Sequence, residues 1–130
     1  MRLLIATHNR GKLTEYQEMF DALSVELVTL NDVGIRDDVE ETGATLAENA
    51  RLKALAYARQ SGLLTLADDS GLEVDALDGA PGVMSARFAG PGCTFADNNR
   101  TLLELMKDVP DGKRGARFRC IAALATSEKD

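Results

Sequence analysis

The sequence predicts an α/β protein with a mostly parallel or mixed sheet. Apolar runs of strand length alternate with longer segments at helical period. Polar, glycine- or proline-rich stretches punctuate the junctions between them. A chain of 130 residues also has the size of a single compact domain, residues 1–130. A soluble chain of that length buries roughly two-thirds of its unfolded surface, so neither disulfide nor metal is needed for folding.

The first run, Arg2 to Thr7 (RLLIAT), reads as a short buried strand. From Lys12 to Leu23 the period becomes helical, with Leu13, Tyr16, Phe20 and Leu23 on one face. Val25, Leu27 and Val28 to Leu30 suggest a second strand, and Asn31 to Gly43 is polar and acidic, a loop. Thr45-Leu46-Ala47-Glu48 has the form of a capping box ahead of an alanine-rich helix running to about Gln60 and stopped by Gly62. Leu63 to Ala67 is a strand, and Asp68 to Gly92, which includes Gly90-Pro91-Gly92, is a loop-rich region. Leu102, Leu103 and Met106 fall at helical spacing in a helix from about Ala96 to Lys107. Ala116 to Thr126 is the last strand, with Phe118, Cys120, Ala122 and Leu124 on one face and its edge open to association. It runs nearly to Asp130, and the sequence is expected to be truncated at its C-terminus.

The composition is ordinary for a globular protein, at 45% hydrophobic and 28% charged. The net charge of −6 argues against non-specific binding to nucleic acid or to an anionic membrane. It leaves room for a small anionic substrate met by local cations. No apolar run approaches the ~18 residues of a membrane span, and Met1 to Leu13 lacks the apolar stretch of a signal peptide. Cys93 and Cys120 are isolated, and Cys120 is expected to be a small core residue, which points to a reducing, cytoplasmic setting.

Four groups of residues can carry chemistry. Thr7-His8-Asn9-Arg10-Gly11-Lys12 lies at a strand–helix junction, where free N–H groups and the positive end of a helix suit phosphate. It is not a P-loop, because Ala6 and Leu13 occupy the positions of the first glycine and of the Mg²⁺-binding Ser or Thr. A polar turn remains the plain alternative. Asp37, Asp38, Glu40 and Glu41 form an acidic cluster of the kind Mg²⁺ uses, though a solvated loop has the same composition. Asp68-Asp69-Ser70-Gly71 follows a predicted strand, where ligands collect in open α/β sheets. Two adjacent carboxylates there repel each other unless a cation or a shared proton offsets the charge. Asn49 and Lys53 stand at i and i+4 on the capped helix, with a snorkelling lysine as the bland reading of Lys53. His8, the one histidine, lacks a partner for a metal site and is read as a loop residue near substrate.

Together these pieces resemble the inosine triphosphate pyrophosphatase family. The resemblance rests on ATHNRGK (Ala6 to Lys12), EETGATLAENARLKA (Glu40 to Ala54) and ADDSGLEVDALDGAPGVMSARFAG (Ala67 to Gly90). LLELMKDVP and ARFRCIAALA match more weakly. The resemblance implies an elongated mixed sheet flanked by helices, two-lobed with a central substrate cleft, in a homodimer. It further implies Mg²⁺-dependent hydrolysis of ITP, dITP and XTP to monophosphate and pyrophosphate. Thr7 to Lys12 would hold the triphosphate and Ser70 would touch substrate. Glu40 or Glu41 (Glu40 preferred) would bind Mg²⁺, which Asp69 shares while acting as general base, and Lys53 would face the phosphates. Met84 and Leu46 replace the family's usual Tyr and Phe. The Gly-Phe-Gly-Tyr-Asp-Pro-like and Ser-His-Arg-like motifs that grip the purine do not occur. Three other readings follow: a pyrophosphatase for modified pyrimidines, a nucleotide- or Mg²⁺-binding module without turnover, and a purely structural domain.

Overall fold

A computed structural model describes residues 1–90 and 92–126; Pro91 of the predicted loop and the chain end at Asp130 lie outside the described residues. The elements are β1 (Arg2–Ile5), α1 (Arg10–Phe20), β2 (Glu26–Thr29), α2 (Leu46–Ser61), β3 (Leu64–Val74), α3 (Phe95–Met106) and β4 (Ala116–Ala125). They form an α/β fold around a mixed sheet of order β2-β1-β3-β4. β1 pairs in parallel with β2, Leu4 opposite Val28, and with β3, Leu4 opposite Thr65.

The chain divides into two compact units. The first takes Met1–Gly43, Ala47–Asp68 and the chain from Ile121; the second takes Ala44–Leu46 and Asp69–Cys120. In the first unit Leu4, Ala6, Val28, Leu30, Ala54, Tyr57 and Ala67 form the core, with Val33, Ile35, Val39, Leu63, Ala123 and Ala125 packed against it. Ala50, Ala54 and Ala58 are wholly or almost wholly buried on α2, and small side chains at that spacing let the helix axis approach its neighbours closely. Leu4 has no exposed surface, and truncating such a residue to Ala costs roughly 2–5 kcal/mol.

In the second unit α3 starts on a capping box: Thr94 Oγ1 accepts from Asp97 N–H, and the Asp97 carboxylate accepts from Thr94 N–H. Asn98 is buried on this helix, donating to the Ala86 carbonyl and accepting from Ala89 N–H. Arg117 and Arg119 of β4, both exposed, reach the half-buried Glu73 at 3.8 and 3.4 Å.

Several sequence expectations are corrected. α1 ends at Phe20, so Leu23 lies beyond the helix and is exposed. Leu103 is exposed, and Met106 is the buried apolar residue of α3. Phe118, Cys120, Ala122 and Leu124 do share a face of β4, but it is the open one: Phe118 is 83% exposed and Cys120 is an exposed free thiol. The alternate residues Ala123 and Ala125 pack inward. Apolar alternation marks one face of a strand without saying whether a neighbour covers it.

The largest correction concerns β3. The sequence places its end at Ala67, with Asp68 to Gly71 beyond it; the strand continues to Val74 and contains all four residues. Asp68 and Asp69 are buried in mid-strand. Gly71 is also buried, and a Cβ there would sit 2.2 Å from the Gly82 carbonyl oxygen. The strand tolerates glycine because another backbone passes directly over it.

Candidate functional site

The site begins where β1 gives way to α1. Asn9 is the N-cap: its backbone is extended, and its side-chain oxygen accepts from Lys12 N–H at 3.1 Å. Thr7 Oγ1 in turn accepts from Asn9 N–H at 3.1 Å, which fixes the turn. A cap of this kind takes one of the orphan amides of the first turn and leaves those of Arg10 and Gly11 for another acceptor. At Gly11 the fit is close, since a Cβ there would lie 3.2 Å from the capping oxygen.

Lys12 does not project freely as a point charge. Its Nζ lies 2.8 Å from Asp68 Oδ1, and Tyr16 Oη donates to Asp68 Oδ2. Lys12 and Tyr16 stand four residues apart on α1, so one helix face grips both oxygens of a single carboxylate. This offsets the charge of the buried Asp68 and so lessens the cost of placing it beside a second carboxylate inside a strand. Tyr16, which the sequence assigns to an apolar face, thus belongs with the site.

Residues 37–43, a strap without regular structure, lie along α2. Tyr57 Oη donates to the Asp37 carbonyl at 3.0 Å and accepts from Val39 N–H at 3.2 Å. Lys53 Nζ lies 3.4 Å from Glu41 Oε1, and Asn49 Oδ1 accepts from Gly43 N–H at 2.7 Å. Glu40 is exposed. His8 Nε2 is 3.5 Å from Asp38 Oδ1, which ties the α1 turn to the strap. The structure therefore brings His8 to the acidic cluster, Lys53 to Glu41 and Lys12 to Asp68, all within the first unit. Arg10 is exposed beside them, and its carbonyl accepts from Thr14 Oγ1.

Asp69 and Ser70 belong to the second unit. The Asp69 carboxylate is buried and its Oδ1 accepts from Ser70 N–H at 3.1 Å. Ser70 borders a hollow of about 290 Å³ walled mainly by apolar side chains, among them Leu72, Phe95 and Phe118. A larger open hollow, about 620 Å³, is lined by Cys93, Asp97, Arg100 and neighbours, and contains none of the predicted residues. Among the described residues, no group of three or more His, Cys, Asp or Glu side chains forms a metal cage.

The Tyr57 phenol is pushed above its usual value, first by burial, with Asp38, Asp37 and Glu41 adding to the rise and the Val39 amide opposing it. A raised phenol favours the neutral form in the folded chain. Its stabilisation is complete below the usual value of 10.0 and is lost as pH rises through the folded value. Denaturant unfolding is expected to show stability falling above about pH 10, and Tyr57→Phe to flatten that fall. Equal alkaline slopes in the two proteins would contradict the assignment.

A model of the Ham1 family matches residues 3–130, and the chain belongs to that family. It is 45% identical over 130 residues to a dITP/XTP pyrophosphatase from a Thermoanaerobacter species, covering all of this chain and 66% of that protein. A HAM1 protein from Coxiella burnetii superposes with a TM-score of 0.88 at 41% identity, covering 95% of this chain and 62% of that one. The nucleoside-triphosphatase / dITP/XTP pyrophosphatase from Mycobacterium abscessus gives 0.86 at 44% identity, covering 100% and 68%. The chain thus spans about two-thirds of the length of the relatives it matches.

Proposed function

We propose that this chain supplies the phosphate- and cation-handling part of a hydrolase. It would convert ITP, dITP and XTP to the monophosphate and pyrophosphate, clearing non-canonical purine nucleotides. One observation carries the proposal: lysines and carboxylates are paired around the α1 turn and the strap, Lys12 with Asp68 and Lys53 with Glu41. A triphosphate arriving with a divalent cation suits such pairs. Each lysine can exchange its carboxylate for a phosphate oxygen while the released carboxylate faces the cation, so no charge is left uncompensated. The names of the relatives, dITP/XTP pyrophosphatases, support this substrate class.

Mg²⁺ is the proposed cofactor, with Glu40 as the preferred ligand, Glu41 as the alternative held against Lys53, and Asp69 as a shared ligand. The donor set fits. It is all oxygen, and Mg²⁺ typically takes one or two carboxylates and completes its shell with water and substrate phosphates, so no larger cage is required. Bound there, the ion supplies charge neutralisation for the departing pyrophosphate and favours ionisation of water.

The chain's own residues perform the rest. The Arg10 and Gly11 amides and the Lys12 and Lys53 ammonium groups hold the phosphates and stabilise the negative charge that builds up on the leaving group. Thr7, His8 and Asn9 shape that turn, and Ser70 contacts substrate. Asp69 takes the proton of the water that attacks the α-phosphorus; the bond from that phosphorus to the β-bridging oxygen breaks and pyrophosphate departs. A small-molecule substrate, a homodimer and a cytoplasmic setting complete the proposal. The net charge of −6 supports a nucleotide rather than a nucleic acid as ligand. No described helix is long and apolar enough to cross a membrane.

Hydrolysis in ¹⁸O-labelled water tests the route. The label is expected in the monophosphate. Label in the pyrophosphate would mean attack at the β-phosphorus and would overturn the roles given to the residues.

A further inference from the structure

Asn49, Lys53 and Tyr57 stand at successive i, i+4 positions of α2, so their side chains form one ridge. Each meets a different part of the strap, and the order is reversed. Asn49 takes the Gly43 amide, Lys53 the Glu41 carboxylate, and Tyr57 the Asp37 carbonyl with the Val39 amide. The strap therefore runs antiparallel to the helix across three rungs.

The spacing is informative. Asn49 and Tyr57 are about 12 Å apart along a helix rising 1.5 Å per residue. Val39 to Gly43 spans about 13–14 Å when fully extended. The two spans are comparable, so the anchors bracket the segment that contains Glu40 and Glu41.

Asn49 is unusual on stability grounds. It is fully buried, and its Nδ2 has no hydrogen-bond partner among the described residues. A buried amide with an unmet donor costs stability. What Asn49 provides is the short bond to Gly43. Its orientation is fixed by chemistry, because only the carbonyl end can accept from that N–H. Gly43 completes the contact: a Cβ there would lie 2.7 Å from both Asn49 Oδ1 and Glu48 Cβ.

The geometry points to Asn49 and Tyr57 as positioning residues that hold the strap extended along α2 and so fix where Glu40 and Glu41 present their carboxylates. Both are uncharged, so they act on geometry while Lys53 acts on charge. The inference deepens the proposed function and rests on it for the identity of the cation.

Two measurements on Tyr57→Phe and Asn49→Ala test the ladder, with Gly43→Ala as a third variant that crowds the strap end off Asn49 from the strap side, without truncating any α2 side chain, should either fail to fold. The first is amide hydrogen exchange. If the strap is held as one piece, Tyr57→Phe releases not only Val39 but also Gly43 at the far end, each exchanging about tenfold faster. A change confined to Val39 would overturn the inference. The second is the Mg²⁺ concentration giving half-maximal pyrophosphate release from ITP. It is expected to rise about tenfold in each variant, with kcat at saturating Mg²⁺ within about threefold of the parent, as for residues that orient ligands. An unmoved Mg²⁺ midpoint in folded variants would also overturn it. If the parent protein, extended to the length of its relatives, shows no Mg²⁺-dependent release, the functional proposal fails, and the exchange measurement still decides the ladder.

Discussion

Asp69→Asn is expected to lower kcat for pyrophosphate release by about 10³-fold, within the range that a positioned general base contributes. The substitution is nearly isosteric. An Asn side-chain oxygen can still accept from Ser70 N–H, as Asp69 Oδ1 does at 3.1 Å, so the strand should keep its shape. What disappears is the capacity to take a proton from water and a negative charge to face the cation. The expected signature is a folded protein with unchanged thermal unfolding and little turnover. Near-parental turnover would remove Asp69 from the role of base and shift attention to the carboxylates of the strap.

Gly71→Ala is expected to destabilise the protein by about 3 kcal/mol, the upper part of the range for overpacking a filled site. The added methyl would lie 2.2 Å from the Gly82 oxygen, 2.8 Å from the Gly82 carbonyl carbon and 3.2 Å from Ser85 Oγ. Two of these contacts are with backbone, which cannot rotate aside. Ser85 is itself committed, accepting from Leu72 N–H at 2.9 Å and donating to the Gly82 carbonyl at 2.6 Å. Gly112→Ala is the matched control, because a methyl there would meet nothing within 4 Å. Urea unfolding of the two variants checks the claim. Equal stabilities would mean that Gly82 yields and that glycine is not required in the strand.

Much of the fold was legible because it is written locally. The α2 boundaries follow from the Thr45 cap position and from Gly62, whose φ of 73° ends the helix where the sequence places the stop. The first two strands fall inside the predicted apolar runs, and residues 31–43 contain no strand or helix. The failures are non-local. Asp68 and Asp69 look like a strand end because two adjacent carboxylates are unfavourable inside a sheet. The groups that stabilise Asp68, Lys12 and Tyr16, come from 56 and 52 residues away. The open face of β4 is likewise invisible to alternation, which gave Cys120 the wrong environment.

Of the candidate site, some juxtapositions were legible in the sequence and others were not. Residue types singled out for phosphate and Mg²⁺ do meet: His8 beside Asp38, and Lys53 beside Glu41. Spacing on α2 pairs Asn49 with Lys53, and the structure adds Tyr57 one turn further on. Nothing in the sequence connects the Tyr57 hydroxyl to Asp37 and Val39, because that contact depends on how the strap folds back along the helix. Tyr16 was hidden for a related reason, since an aromatic ring on an apolar face conceals what its hydroxyl reaches.

The central claim is tested most directly by pyrophosphate release from inosine, xanthosine, guanosine and adenosine triphosphates, with and without Mg²⁺. It should be measured on this chain and on a version extended to the length of its relatives. The account predicts Mg²⁺-dependent release from the inosine and xanthosine substrates by the extended protein, with little from adenosine triphosphate. A folded, extended protein that releases no pyrophosphate from any of them would contradict it.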